Sequence, residues 1–537
     1  MNRAPEDARA PVKPARAPGW FRLLSRGGLI LTVILISLAC SLPLSAPAGD
    51  IPSPEPIIWW TNTPGGPEPE IATEVPAGAT VVLPTATLPA SATAPVDASV
   101  VDNTPYLYYA QAGDTLDTLA TRFSVLQGEI DSPETFPETG LLRPGQLFII
   151  PRRLANTTAA QKVIPDSDVV HSPTAALFDT QAFVSQAGGY LSTYQEYLAT
   201  TGWTSGADII DRVALENSVN PRLLLSLLQY QAGWVYGQPP SNQLEDYPLG
   251  LVDPNKDGLF EQLSWAVGNV SVGYYGWRES LVTDLVFTDG VRARLSPELN
   301  AGTVGVMYHF AQIYDSVGWL NASDFDAGFA AVHASMFGDP WVRAALVEPL
   351  FPPTLTQPEL ILPFELGAFW SYSGGPHGAW DKYGARAAID FAPPSQESGC
   401  VPSDSWVTAM APGLIIRSGE GVLVLDLDGD GNESSGWVLL YLHLAAEGKL
   451  EVGTWVTTGQ YLGHPSCEGG FSTGTHIHIA RKYNGEWMVA GGAVPFTLSG
   501  WAVGAGSAAY EGTLTRGDKT IHASPLGTAS TLITREE

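Results

Sequence analysis

Sixty consecutive residues of this chain cannot build a core. Across residues 41–100, 34 of the 60 are Pro, Thr, Ala or Ser, and neither Lys nor Arg occurs between Cys40 and Arg122. Such a stretch buries too little apolar surface to offset the entropy of ordering it, so residues 41–104 are expected to form an extended tether. The Trp59-Trp60 pair inside it reads as a chance aromatic pair. Everything that folds must lie beyond the tether, and a 537-residue chain accommodates roughly three domains of about 100–200 residues each. Lys and Arg number 27 against 55 Asp and Glu, a formal net charge of −28. A chain this acidic repels phosphate backbones, which excludes a nucleic-acid partner held by general basicity. The three cysteines, Cys40, Cys400 and Cys467, are too few for a disulfide scaffold and too far apart for a cysteine zinc ribbon.

The amino terminus carries an export pattern. Arg16, Arg22 and Arg26 precede a 14-residue apolar run, residues 27–40, shorter than the ~20 residues a spanning helix needs. The run ends in Ser37-Leu38-Ala39-Cys40, which resembles a bacterial lipoprotein signal, although that signal usually has Leu where Ser37 stands. Residues 1–40 are therefore an export signal, and the resemblance implies membrane anchoring through a lipidated Cys40. An uncleaved anchor or plain secretion are the alternatives. All three place the working chain outside the cytoplasm, in the cell envelope or released, where Cys400 and Cys467 can oxidise to a disulfide.

Order begins near Tyr106. The segment from there reads as a strand, a Gly-Asp turn capping a short helix, a weaker helical stretch, a Pro-Gly turn and a closing strand. Asp114 or Thr115 can cap the helix, and Leu116, Leu119, Ala120 and Phe123 form its apolar face. The pieces Ala112-Gly113-Asp114-Thr115-Leu116, Ala120-Thr121-Arg122-Phe123 and Arg143-Pro144-Gly145-Gln146 resemble a LysM module over residues 105–152. The resemblance implies a small βααβ fold and binding of N-acetylglucosamine-containing glycan strands. Its middle, DSPETFPETG, departs from the usual second helix.

A connector, residues 153–172, leads into a helical region, 173–350. One helix runs to about Asn217, Pro221 opens the next, and further helical stretches cover 259–272 and 297–314. This layout resembles the lysozyme-like helical fold of lytic transglycosylases. There the second helix ends in a catalytic Glu, and here that position is Gln231, whose neutral amide has no suitably acidic proton to give a glycosidic oxygen. The resemblance therefore implies an all-α domain that holds glycan or serves structure, with a muramidase as the other reading. The run from Asp253 mimics the opening of a calcium loop, but its twelfth position is Ser264 instead of Glu, so it reads as a turn.

The last third changes period, to short β runs separated by glycine turns, and six of the nine histidines lie there. In Gly474-Thr475-His476-Ile477-His478, strand geometry points both imidazoles to one face and Ile477 to the other. Upstream, His377 ends a Gly-Gly-Pro-His segment, and Asp390 stands inside an otherwise apolar strand, where a carboxylate needs a compensating partner. Two neutral imidazoles and one carboxylate leave a fourth tetrahedral position open, the pattern of a catalytic zinc site.

Residues 363–524 resemble the lysostaphin-type zinc endopeptidases, particularly the staphylolysin and β-lytic branch. In most of that family the first zinc histidine lies four residues before the aspartate, but Arg386 stands there. The branch takes it instead from a Gly-Gly-Pro-His segment thirteen residues before, the spacing of His377 to Asp390. The resemblance implies an antiparallel β-sheet peptidase domain at 351–525, followed by a tail, 526–537. It also implies Zn2+ held by His377, Asp390 and His478, with catalytic His443 and His476. His476 would act as base and His443 would stabilise the oxyanion, or the two would exchange these roles. His464 reads as a loop residue and the Cys400–Cys467 pair as a clamp between loops. The acidic turn from Asp426 to Glu433 reads as a hairpin loop, with a calcium loop as the alternative. The whole chain then reads as an exported peptidoglycan hydrolase, with LysM on the glycan strands and the zinc domain on the peptide bridges. The alternative is a catalytically silent wall-binding or hydrolase-activating envelope protein.

Overall fold

A computed structural model describes residues 104–352, 354–380 and 382–536. The export signal, Cys40 and the tether lie outside the described residues. The first folded unit pairs β1 (Tyr106–Tyr109) with β2 (Leu147–Ile150) antiparallel, across α1 (Leu116–Phe123). Thr115 caps α1, accepting from Thr118 N at 3.1 Å. Asp114 is instead buried in an ion pair with Arg122 at 2.7 Å. The expected second helix is a correction: only a three-residue 3-10 turn, Gln127–Glu129, follows α1. Pro133 and Pro137 in the segment after it remove helical N–H donors, and no turn of α-helix survives there.

The helical region is built around α2 (Gly206–Asn217), α3 (Pro221–Ala232), α4 (Leu259–Arg278) and α5 (Ala301–Ala311). Ser205 caps α2, and Asn220 with Pro221 at the first turn starts α3. Helices α4 and α5 cross at glycines, since a Cβ on Gly273 would stand 2.8 Å from Gly305 Cα. Helices stand where the sequence placed them, with α4 six residues longer than its apolar pattern indicated and α5 shorter than the expected 297–314. The all-α expectation is corrected, because two antiparallel hairpins, 195–205 and 284–294, turn at Gly202 and Gly290 within the region.

Beyond it lies a nine-stranded antiparallel sheet. Its strands are β3 (Phe369–His377), β4 (Ala388–Ala392), β5 (Gly413–Gly419), β6 (Gly421–Asp426), β7 (Trp437–Leu444), β8 (Trp455–Val456), β9 (Ile477–Tyr483), β10 (Glu486–Trp487) and β11 (Leu532–Thr534). They lie in the order β8-β5-β6-β7-β9-β4-β3-β11, with β10 paired to β9. Alternation sorts the two faces. Leu439, Tyr441, Ile477 and Ile479 pack into one core with Ile389 and Phe391, while Leu440, Leu442 and Ala480 join the core of the helical region. The sheet is therefore covered on one face by helices.

Buried charge fastens this contact. Arg278 at the end of α4 meets Glu486 at 2.8 Å and Asp166 at 2.9 Å. Glu433 takes Arg417 at 2.6 Å and Lys482 at 2.7 Å, and Lys482 also reaches Ser218 Oγ at 3.2 Å. Burial alone would raise the Glu433 carboxyl, but the two cations pull it down to about 2. A carboxyl whose pKa is depressed on folding stabilises the fold above its unfolded value and loses that contribution as pH falls through the folded one. Glu433→Gln is thus expected to cost roughly 3 kcal/mol at pH 7. In denaturant titrations the difference from the parent should shrink between pH 4.5 and about 2.

Candidate metal centre and active site

Three strands bring the predicted ligands together. Asp390 on β4 sits directly opposite His478 on β9 and Gly374 on β3, and His377 ends β3 opposite Ala388. The ligand atoms form a tight triangle: His377 Nε2 to His478 Nδ1 is 3.0 Å, and each lies 3.3 Å from Asp390 Oδ1. Tetrahedral zinc with bonds of about 2.0–2.1 Å spaces its ligand atoms about 3.3 Å apart, so the triangle has the size of a zinc site. The protonation pattern fits too. His377 Nδ1 donates to Gly375 O at 2.8 Å and His478 Nε2 donates to Ala379 O at 3.0 Å, so the two facing nitrogens both carry lone pairs. Two lone pairs at 3.0 Å repel unless a cation lies between them. Asp390 Oδ1, buried without a hydrogen-bond partner, is the third acceptor of the set.

Gly374 makes the triangle possible. A Cβ there would stand 2.4 Å from Asp390 Oδ2. Gly374→Ala is expected to displace the carboxylate and weaken zinc binding about 10–100-fold in competition with a chromophoric chelator, without unfolding the sheet.

Electrostatics agree with a cation-binding pocket. Burial opposes charge on Asp390, yet the surrounding imidazoles hold its carboxyl well below the usual range. Burial pushes His478 down, whereas at His377 the Asp390 carboxylate and the contacts to Asp390 and Gly375 O outweigh burial and raise it.

The two predicted catalytic histidines flank the triangle. His476 Nε2 lies 3.7 Å from Asp390 Oδ1, and its Nδ1 donates to Gly474 O at 2.7 Å. His443 Nδ1 donates to Glu468 O at 2.9 Å, and its ring lies 4.5 Å from that of His476. Burial, then the His476 and His478 charges, hold His443 well below its usual value.

Strand alternation would send His443 to the opposite face, into the core with Tyr441. It does not, because the β6/β7 register shifts between Gly421 and Val422 and His443 becomes a bulge at φ 70°. The bulge turns the imidazole to the site face and returns Leu444 to the core.

The groove around these residues encloses about 600 Å³, with Phe471 and Tyr510 in its walls. Tyr510 was not foreseen from sequence. Its ring stacks on His377 at 4.2 Å, and its backbone bonds Gly375 N and Pro376 O. No local motif marks it. Cys400 and Cys467 are bonded, and beside them Thr475 Oγ1 accepts from Val401 N at 2.9 Å, tying the loop to the start of β9.

Other histidines stand apart. His464 donates to Ser405 O and packs on Trp406, and Arg386 pairs with Glu279 on the helical region at 2.8 Å. Ser226, His333 and Asp168 form a line of hydrogen bonds at 2.8 and 2.9 Å that mimics a nucleophilic triad. All three are buried, and the serine hydroxyl already donates to Arg222 O, so the line is a packing device. In the acidic turn, Asp426 accepts from Asp428, Gly429 and Gly431 N–H groups and organises a hairpin between β6 and β7.

Comparison with known proteins finds one family model and several relatives. The family model for the LasA N-terminal domain matches residues 162–351, the region read as lysozyme-like. Protease LasA of Pseudomonas aeruginosa PAO1 is 25% identical over 344 residues, 59% of this chain and 73% of that protein, and LasA of strain UCBPP-PA14 matches equally. Among solved structures, the deep-sea M23 metalloprotease pseudoalterin is 24% identical, with a TM-score of 0.25 over 32% of this chain and 96% of its own. The catalytic domain of lysostaphin from Staphylococcus simulans is 24% identical, with a TM-score of 0.17 over 22% of this chain and 87% of its own. With similarity to Protease LasA and a three-ligand site of zinc dimensions, the chain is a zinc metalloendopeptidase.

Proposed function

We propose that this chain is an exported peptidoglycan hydrolase whose zinc endopeptidase groove cuts wall peptide bridges while residues 105–152, as a LysM module, hold the glycan. The observation that carries the reading is the convergence of His377 Nε2, Asp390 Oδ1 and His478 Nδ1, with His476 3.7 Å away. These three atoms would hold the ion. Zinc bound there supplies Lewis acidity toward a peptide carbonyl and toward water.

The remaining steps belong to the side chains. His476 presents an unprotonated Nε2 to the groove, because its Nδ1–H is committed to Gly474 O. That nitrogen takes the proton of the attacking water and returns it to the leaving amine, and Asp390 stabilises the imidazolium between the two transfers. His443 is held by Glu468 O in the same tautomer, so its Nε2 accepts and orients the water. Donation to an oxyanion would require His443 to take up a proton first. Gln231 bonds Leu249 O and lies 3.3 Å from His309, a neutral contact that suits a non-catalytic helical region at 173–350.

Attachment makes chemical sense of the layout. A glycan-binding module on the same chain raises the local concentration of the peptidase at an insoluble polymer, and a lipid on Cys40 would add an envelope anchor. Mass spectrometry of purified peptidoglycan digested by the zinc-loaded chain tests the proposal. New free amino and carboxyl termini within bridge or stem peptides are expected, and are absent with His476→Ala. Release of sugar reducing ends alone would overturn it.

A further inference from the structure

The groove continues past the histidines. Trp380 and Lys382, on the loop between β3 and β4, line both it and a second hollow of about 490 Å³. The far wall of this hollow is helical: Trp265 and Asn269 on α4, Tyr308 on α5 and Asn217 at the end of α2. Tyr383 closes the peptidase side.

The lining has a definite chemistry. Five aromatic side chains, Phe260 on α4 included, offer flat apolar faces, and two amides offer planar donors and acceptors between them. Asn269 is the telling residue, because its side-chain nitrogen is buried with no hydrogen-bond partner in the chain, which is costly unless a ligand accepts from it. Lys256 is neutralised by Glu261 at 2.6 Å and Glu216 by Arg212 at 2.9 Å, while Lys382, at the mouth shared with the groove, sets its ammonium 4.7 Å from the Tyr383 ring. Such a surface suits a neutral ligand with one apolar face and a polar edge. A pyranose ring is that ligand, with C–H bonds that pack on aromatic rings and hydroxyl and acetamido groups that bond to amides.

We propose that this hollow is a saccharide subsite, which takes an N-acetylhexosamine unit of the glycan strand while the attached peptide passes Trp380 and Lys382 into the groove. The proposal rests on the peptidoglycan reading of the groove and makes the helical region part of the substrate site. Two variants test it. Asn269→Leu removes the donor, and Tyr383→Ala removes an exposed ring whose loss leaves the core intact.

An N-acetylglucosamine tetramer is titrated calorimetrically into the full chain stripped of zinc, so the result is independent of peptide hydrolysis. Wild type is expected to show a binding event that weakens tenfold or more in both variants, over any event at residues 105–152 that the variants leave alone. Isotherms identical in all three proteins, or no binding by wild type, overturn the subsite. With zinc restored, the ratio of kcat/KM on a glycan-bearing muropeptide to that on the sugar-free peptide should fall about tenfold in the variants. An unchanged ratio overturns the subsite as well. If the wild type cleaves neither substrate, the peptidoglycan reading fails, and the calorimetry decides the subsite alone.

Discussion

Asp390→Ala is expected to leave a folded chain that binds no zinc at stoichiometric concentration and hydrolyses peptide at least about a thousandfold more slowly. The carboxylate is one of three ligand atoms in a triangle 3.0–3.3 Å on a side, and open catalytic zinc sites depend on all three protein ligands. The fold should survive, because Asp390 Oδ1 makes no hydrogen bond that the sheet requires. Removing a buried anion from among four imidazoles also removes the charge that holds His377 protonatable. Metal analysis after gel filtration, with circular dichroism on the same sample, checks both halves of the expectation. Treatment of the parent with a chelator should reproduce the loss of activity, and added zinc should restore the parent but not the variant.

His476→Ala has a different signature. Zinc content should be unchanged, since the ring lies outside the triangle at 3.7 Å from Asp390, while kcat falls by about 10²–10⁴ and KM moves little, as for loss of a general base. His443→Ala should keep zinc too. The pair thus separates ligands from proton-handling groups, and a loss of metal from His476→Ala would mean that the ligand set has been misassigned.

Local pattern carried much of this site. Strand alternation at His476 and His478, and an aspartate inside an apolar run, are properties of neighbouring residues, and they located two strands of the sheet. The Gly-Gly before Pro376 was visible, but its reason was not: Gly374 clears space for a carboxylate sixteen residues later. His443 was legible only through family resemblance, because its orientation comes from a register shift that involves the facing strand. Tyr510 lies in no motif and reaches His377 through tertiary packing. The seam between helices and sheet was likewise hidden. Arg278 and Glu486, or Ser218 and Lys482, are more than two hundred residues apart, and no local periodicity couples them. The missing second helix near Pro133 shows the reverse error, in which the expected weaker helical stretch overlooked local proline chemistry.

X-ray absorption at the zinc edge of the reconstituted chain reads the ligand set itself. One ion per chain is expected, with nearest neighbours that are light atoms at about 2.0–2.1 Å, two of them imidazole nitrogens, and with loss of that spectrum in Asp390→Ala. A six-oxygen shell, or an unaltered spectrum in the variant, would contradict it.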